Sequence, residues 1–152
     1  MNGIVRIGES EREVAIGEVE AVLVVAEDAA FRDELSAVVE AIETGELEPA
    51  EQATLEHLLE LGLQAGRIRA LYGPGGEQAA LRLYRRLPHG AEAGESADAV
   101  NQALSALGGR TLESIQLRAV GPGAFTLTVQ AGGAELSVQL DRHGARLASV
   151  GV

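Results

Sequence analysis

The last third of the chain constrains the fold most tightly, because three turn signals of different chemistry separate four alternating segments. The turns are Gly121-Pro122-Gly123, Gly132-Gly133 and Asp141-Arg142-His143-Gly144, each rich in residues that accept positive φ or bond their own backbone. Between them Ile115, Leu117 and Ala119 share one parity, as do Phe125, Leu127 and Val129, and Leu136, Val138 and Leu140. Alternate side chains of a strand point to one face, so the pattern predicts a four-stranded antiparallel meander over about residues 111–151 with one apolar face. That face needs a cover, and the segments upstream read as helices. The predicted class is therefore α+β: an N-terminal hairpin and a helical layer of about four helices, over about residues 18–108, packed on one face of the meander. At 152 residues the chain is expected to form a single globular domain.

Upstream, Gly3–Gly8 and Glu13–Gly17 flank the polar Glu9-Ser10-Glu11-Arg12, and together they predict a short hairpin. From Glu18 to Thr44 apolar residues recur near helical spacing, with Gly45 placed as a left-handed cap, which predicts one long helix. The competing reading makes Val22-Leu23-Val24-Val25 a strand and starts the helix after Asp28, because β-branched runs suit a pleated core. Pro49 suits the first turn of a second helix with the stripe Leu55, Leu58, Leu59 and Leu63,. Gly73-Pro74-Gly75-Gly76 breaks the chain, Glu77 to Leu87 predicts a third helix, and residues 88–96 read as a linker,. Ser96 then caps a fourth helix ending at Gly108-Gly109,.

Charge is distributed unevenly. The first fifty residues hold thirteen carboxylates against Arg6, Arg12 and Arg32, and the whole chain has a net charge of -11 with no lysine. Such a molecule repels nucleic acid and anionic lipid. The absence of lysine excludes a P-loop lysine and Schiff-base chemistry. With no cysteine there is no disulfide, thiolate metal site or thiol nucleophile. His57, His89 and His143 lie far apart and form no ligand-spacing motif, so no metal or cofactor is expected. No serine sits in a nucleophile elbow. The N-terminus has no basic, apolar leader pattern and no segment approaches a membrane span, which makes a cytoplasmic protein the expectation.

Two surfaces stand out as candidates. Gly73, Gly75 and Gly76 precede a helix carrying Arg82, Arg85 and Arg86, with Arg67 and Arg69 upstream. A glycine turn at a helix start and arginine forks suit a small anionic ligand, but the same arginines can instead pair with the chain's own acidic first helix. On the sheet, Thr126, Thr128 and Gln130 alternate with the core residues, as do Ser137 and Gln139. Uncharged polar strand faces lose little on desolvation and suit a contact surface. The reading that assumes no motif is a non-catalytic interaction or regulatory domain whose partner is itself, as a homodimer, or another protein. The alternative is a small-anion-binding protein or enzyme built on the glycine turn. Either way, the protein is expected to pass through a DNA-affinity column unretained at low salt; retention that falls with added salt would contradict the charge argument.

Overall fold

The computed structural model describes residues 3–151, which form five helices, an N-terminal two-stranded ribbon and a four-stranded antiparallel sheet. The class is α+β, and the C-terminal meander stands where the turn signals place it. The chain divides into two compact units, Met1–Ala91 and Glu92–Val152.

In the first unit β1 (Val5–Arg6) is followed by α1 (Glu9–Val25), α2 (Ala29–Thr44), β2 (Glu46–Leu47), α3 (Pro49–Gln64) and α4 (Arg67–Tyr84). The partner of β1 is not residues 13–17, as the polar tetrapeptide suggests, but β2, with Val5 opposite Leu47. Glu9 to Arg12 instead make the first turn of α1, because the Glu11 carboxylate accepts the Gly8 N–H at 2.9 Å and closes the helix start,. Gln52 then ties the ribbon down from α3, donating its amide to the carbonyls of Gly3 (2.7 Å) and Leu47 (2.9 Å).

The single long helix expected from Glu18 to Thr44 is two helices, broken at Ala26–Asp28. Asp28 accepts the Phe31 N–H at 2.9 Å as the N-cap of α2,. Arg32 reaches back to the carbonyls of Leu23 and Ala26 and satisfies the end of α1,. Val22 to Val25 are helical, so the strand alternative fails although its helix start after Asp28 holds. Gly45 (φ 88°) caps α2 in the left-handed region, and Pro49 opens α3. In α4 the chain kinks at Gly73, whose positive-φ backbone at φ 71°, ψ -176°, open to glycine, interrupts the helix,. Val19, Leu35, Ile42, Leu55, Leu59 and Leu83 are fully buried at the centre of this unit's aliphatic core.

The stretch expected to be a linker is the start of α5 (Pro88–Ser105), and Ser96 lies inside that helix rather than capping it. Pro88 is suited to a first helical position, and the missing cap comes from a distant residue. The buried Glu56 carboxylate of α3 accepts the N–H groups of His89 (2.5 Å) and Gly90 (3.0 Å), at the end where the helix dipole favours a negative charge.

In the second unit β3 (Leu112–Gly121), β4 (Ala124–Ala131), β5 (Ala134–Asp141) and β6 (Gly144–Gly151) pair in sequence order. The register opposes apolar to apolar: Ile115 to Val129, Leu117 to Leu127, Leu127 to Val138 and Val129 to Leu136. The cover over this face is α5, whose Val100, Ala103 and Leu104 pack with Leu136, Val138 and Leu140. The core residues of α1 to α4 belong to the separate cluster of the first unit.

Two glycines of α5 test the packing of its start. A Cβ at Gly90 would collide with the Tyr84 carbonyl, whereas one at Gly94 meets nothing within 4 Å. Gly90→Ala is expected to cost about 1–3 kcal/mol by overpacking, and Gly94→Ala to gain up to about 1 kcal/mol from helix propensity. Urea unfolding of the two variants checks the contrast.

Candidate functional site

The arginine segment meets the acidic helix. Arg86 lies against Glu11 of α1, its two terminal nitrogens donating at 3.0 and 2.6 Å, and it also donates to the Arg6 carbonyl at 3.0 Å. Arg67 donates to Glu18, a fully buried carboxylate on the same helix. Gly62 makes room for this second pair, since a Cβ there would press on the Glu18 carboxylate and on Ile68. Both carboxylates sit on the face of α1 that packs on α4. Glu20 of α1, Glu27 in the break and Glu34 of α2 are exposed. Burial alone would raise the Glu11 carboxyl, but the Arg86 hydrogen bonds, the Gly8 N–H and the charges of Arg86 and Arg82 together hold it below the ordinary 4.5.

Gly75 and Gly76 line a cleft of about 390 Å³ at the kink of α4. Its other walls are Ser10, Glu13 and Val14 of α1 and Leu71, Tyr72 and Ala79 of α4. Arg82, Arg85 and Arg86 are not among the lining residues. Arg86 is engaged with Glu11, Arg82 adds its field to the same carboxylate, and Arg85 is exposed at the end of α4. The charged group that faces the glycine corner is thus a carboxylate, Glu13. Tyr72, whose ring packs beside Gly17 and Gly76, has its hydroxyl pKa raised by burial and by nearby Glu18. At the far end of the helix the Tyr84 hydroxyl donates to Glu60 at 2.8 Å, and burial together with that bond raises its pKa as well.

The polar sheet face is brought together as a shallow hollow of about 290 Å³, lined by Thr126, Thr128 and Gln130 with Gln116, Arg118, Val120 and Glu135. Ser137 and Gln139 lie on the same face, opposite Thr128 and Thr126 in the register. Much of this face is satisfied within the sheet. Ser114 donates to the Gln130 amide oxygen (2.8 Å), Gln130 donates to Glu135 (2.6 Å), and Thr128 and Ser137 share a hydrogen bond at 3.3 Å.

The β3 contribution to this surface was legible only as parity. Ser114, Gln116 and Arg118 alternate with Ile115 and Leu117 and extend the polar face to the sheet's edge. On the other face Ile115 and Leu117 are 56% and 63% exposed, so the edge strand carries apolar side chains that the described residues of its own unit leave uncovered. Among the described residues no group of three or more His, Asp or Glu side chains gathers as metal ligands. Among those residues, too, no helix is long and apolar enough to cross a membrane. No known family model matches the chain, and no match emerges among curated proteins or solved structures.

The Arg86 pair predicts an asymmetric response to mutation and to acid. Arg86→Ala leaves Glu11 buried without its partner and is expected to cost about 1–3 kcal/mol, while Arg85→Ala stays within about 0.5 kcal/mol. Because the folded Glu11 pKa lies below the ordinary value, its stabilising share is complete above about pH 4.5 and is lost as pH falls through the depressed value,. Denaturant midpoints between about pH 3 and about pH 7 are expected to fall less steeply toward acid in Arg86→Ala than in the wild type.

Proposed function

We propose that this is a non-catalytic, cytoplasmic protein-interaction or regulatory domain that works through its C-terminal sheet. One observation carries the reading: Ile115 and Leu117, apolar residues on an edge strand, are more than half exposed on the face whose central strand is packed under α5. Exposed apolar surface of this kind, beside a polar face with its own hydrogen bonds already made, suits a partner that covers the flank without displacing internal contacts. The arginine segment supports the same conclusion from the other side. Arg67 and Arg86 are engaged by Glu18 and Glu11, so the segment that best fitted an anionic ligand serves to hold α4 on α1. The cleft at the glycine corner presents Glu13, which disfavours phosphate or carboxylate there,.

Thermal melting against a panel of phosphates, nucleotides and organic acids tests this. The expected result is no shift with any of them. A clear upward shift that Arg85→Ala or Arg86→Ala abolishes would favour the small-anion reading instead.

A further inference from the structure

The sheet has two open edges, and they differ in what they offer. Along β6 the pairing with β5 slips between Ser137, opposite Ser149, and Val138, opposite Leu147. The extra residue, Ala148, interrupts that edge in its middle. Along β3 the irregularities fall at the two ends, between Leu112 and Ser114 and between Ala119 and Gly121, and Ser114 to Ala119 pair in unbroken register with β4. This stretch holds no proline or glycine, and Arg118 is its one charged residue, on the polar face. Proline, bulges and charges are how proteins normally protect an edge from pairing, and apart from Arg118 they are absent from these six consecutive residues.

Which strand fits that edge follows from parity. In an antiparallel pair, opposed residues share a face, so a second β3 keeps apolar opposite apolar only in registers where each odd position meets an odd one. Centring the two-fold axis on Gln116 sets Ile115 against Leu117 of the partner subunit at both ends of the pair, with Gln116 opposite its own copy and Ser114 opposite the second Arg118. Centring it on Leu117 would bring the two Arg118 side chains into diagonal contact on one face, which is repulsive. Centring it on Ile115 would run the pairing into the irregularity at Glu113. Local charge permits the meeting: residues 92–152 carry six carboxylates against four arginines, although the whole chain stands at -11. A strongly charged partner finds no complementary field there, whereas an identical strand finds its own pattern reversed.

Resting on the reading of the sheet as an interaction surface, we infer that its occupant is a second copy of this chain. The two β3 strands pair antiparallel about a two-fold axis at Gln116, joining the sheets into one of eight strands and covering Ile115 and Leu117 with each other.

The absence of cysteine makes a direct test available. Opposed residues of an antiparallel pair have Cα atoms about 4.5–5.5 Å apart, inside the range a disulfide spans. Gln116→Cys is therefore expected to give a covalent dimer on mild oxidation. Ser114→Cys and Arg118→Cys each place their two copies about 14 Å apart and are expected to stay uncrosslinked alone, but to crosslink when mixed. In light scattering the wild type should weigh about twice the 15.8 kDa of one chain, and Ile115→Lys, folded by circular dichroism, should weigh half of that. A monomeric wild type at every concentration overturns the inference. So does a dimer in which Gln116→Cys fails to crosslink or Ser114→Cys crosslinks alone; that result leaves the sheet as an interaction surface with another geometry. An anion-induced shift in melting is the separate outcome that removes the underlying reading.

Discussion

A single helix about 10 Å across cannot cover four strands spaced about 4.8 Å apart. That mismatch governs the C-terminal unit. The cluster that α5 joins through Val100 centres on β5, where Leu136 and Val138 are buried, and Leu127 of β4 and Ala145 of β6 pack at its sides. The apolar side chains of β3 lie beyond that cluster, and Ile115 and Leu117 stay exposed although they oppose Val129 and Leu127 in the same register. An apolar strip left open in this way is a cost to an isolated chain and a driving force for association.

The N-terminal unit solves a different problem, which is how to use so much acid. Three of its carboxylates are buried, and each connects elements distant in sequence: Glu11 to Arg86, Glu18 to Arg67, and Glu56 to the first N–H groups of α5. A buried carboxylate is tolerable only with donors aimed at it. These donors come from Arg67 at the start of α4, from Arg86 just beyond its end and from the start of α5, so the lopsided charge of the sequence becomes an internal complement. The exposed remainder, including Glu20 and Glu27, is a solvated face.

The legible parts of the sequence were those with local causes. The meander follows from turn residues and period-two alternation, both within a few residues of each strand, and its register is the one parity requires. Gly45, Pro49 and the interruption at Gly73 are likewise local backbone preferences. The misread parts have distant causes. The start of α5 looks like a linker because its cap is Glu56, more than thirty residues upstream. The ribbon partner of β1 is β2, across two helices. The break after α1 depends on Arg32 returning to the carbonyls of Leu23 and Ala26. For the candidate surfaces, Thr126, Thr128 and Gln130 were recognisable from alternation. The glycine corner was visible as a loop, but nothing local indicated that Glu13 would face it. The exposure of Ile115 and Leu117 was not visible either, because it depends on how far one helix extends over the sheet.

Amide hydrogen exchange along the two edge strands, followed as a function of protein concentration, tests the account most directly. If β3 is closed by a second chain, the outward amides between Ser114 and Ala119 gain protection as concentration rises, while those of β6, interrupted at Ala148, remain fast throughout. Exchange on β3 that is as fast as on β6 at every concentration would contradict it.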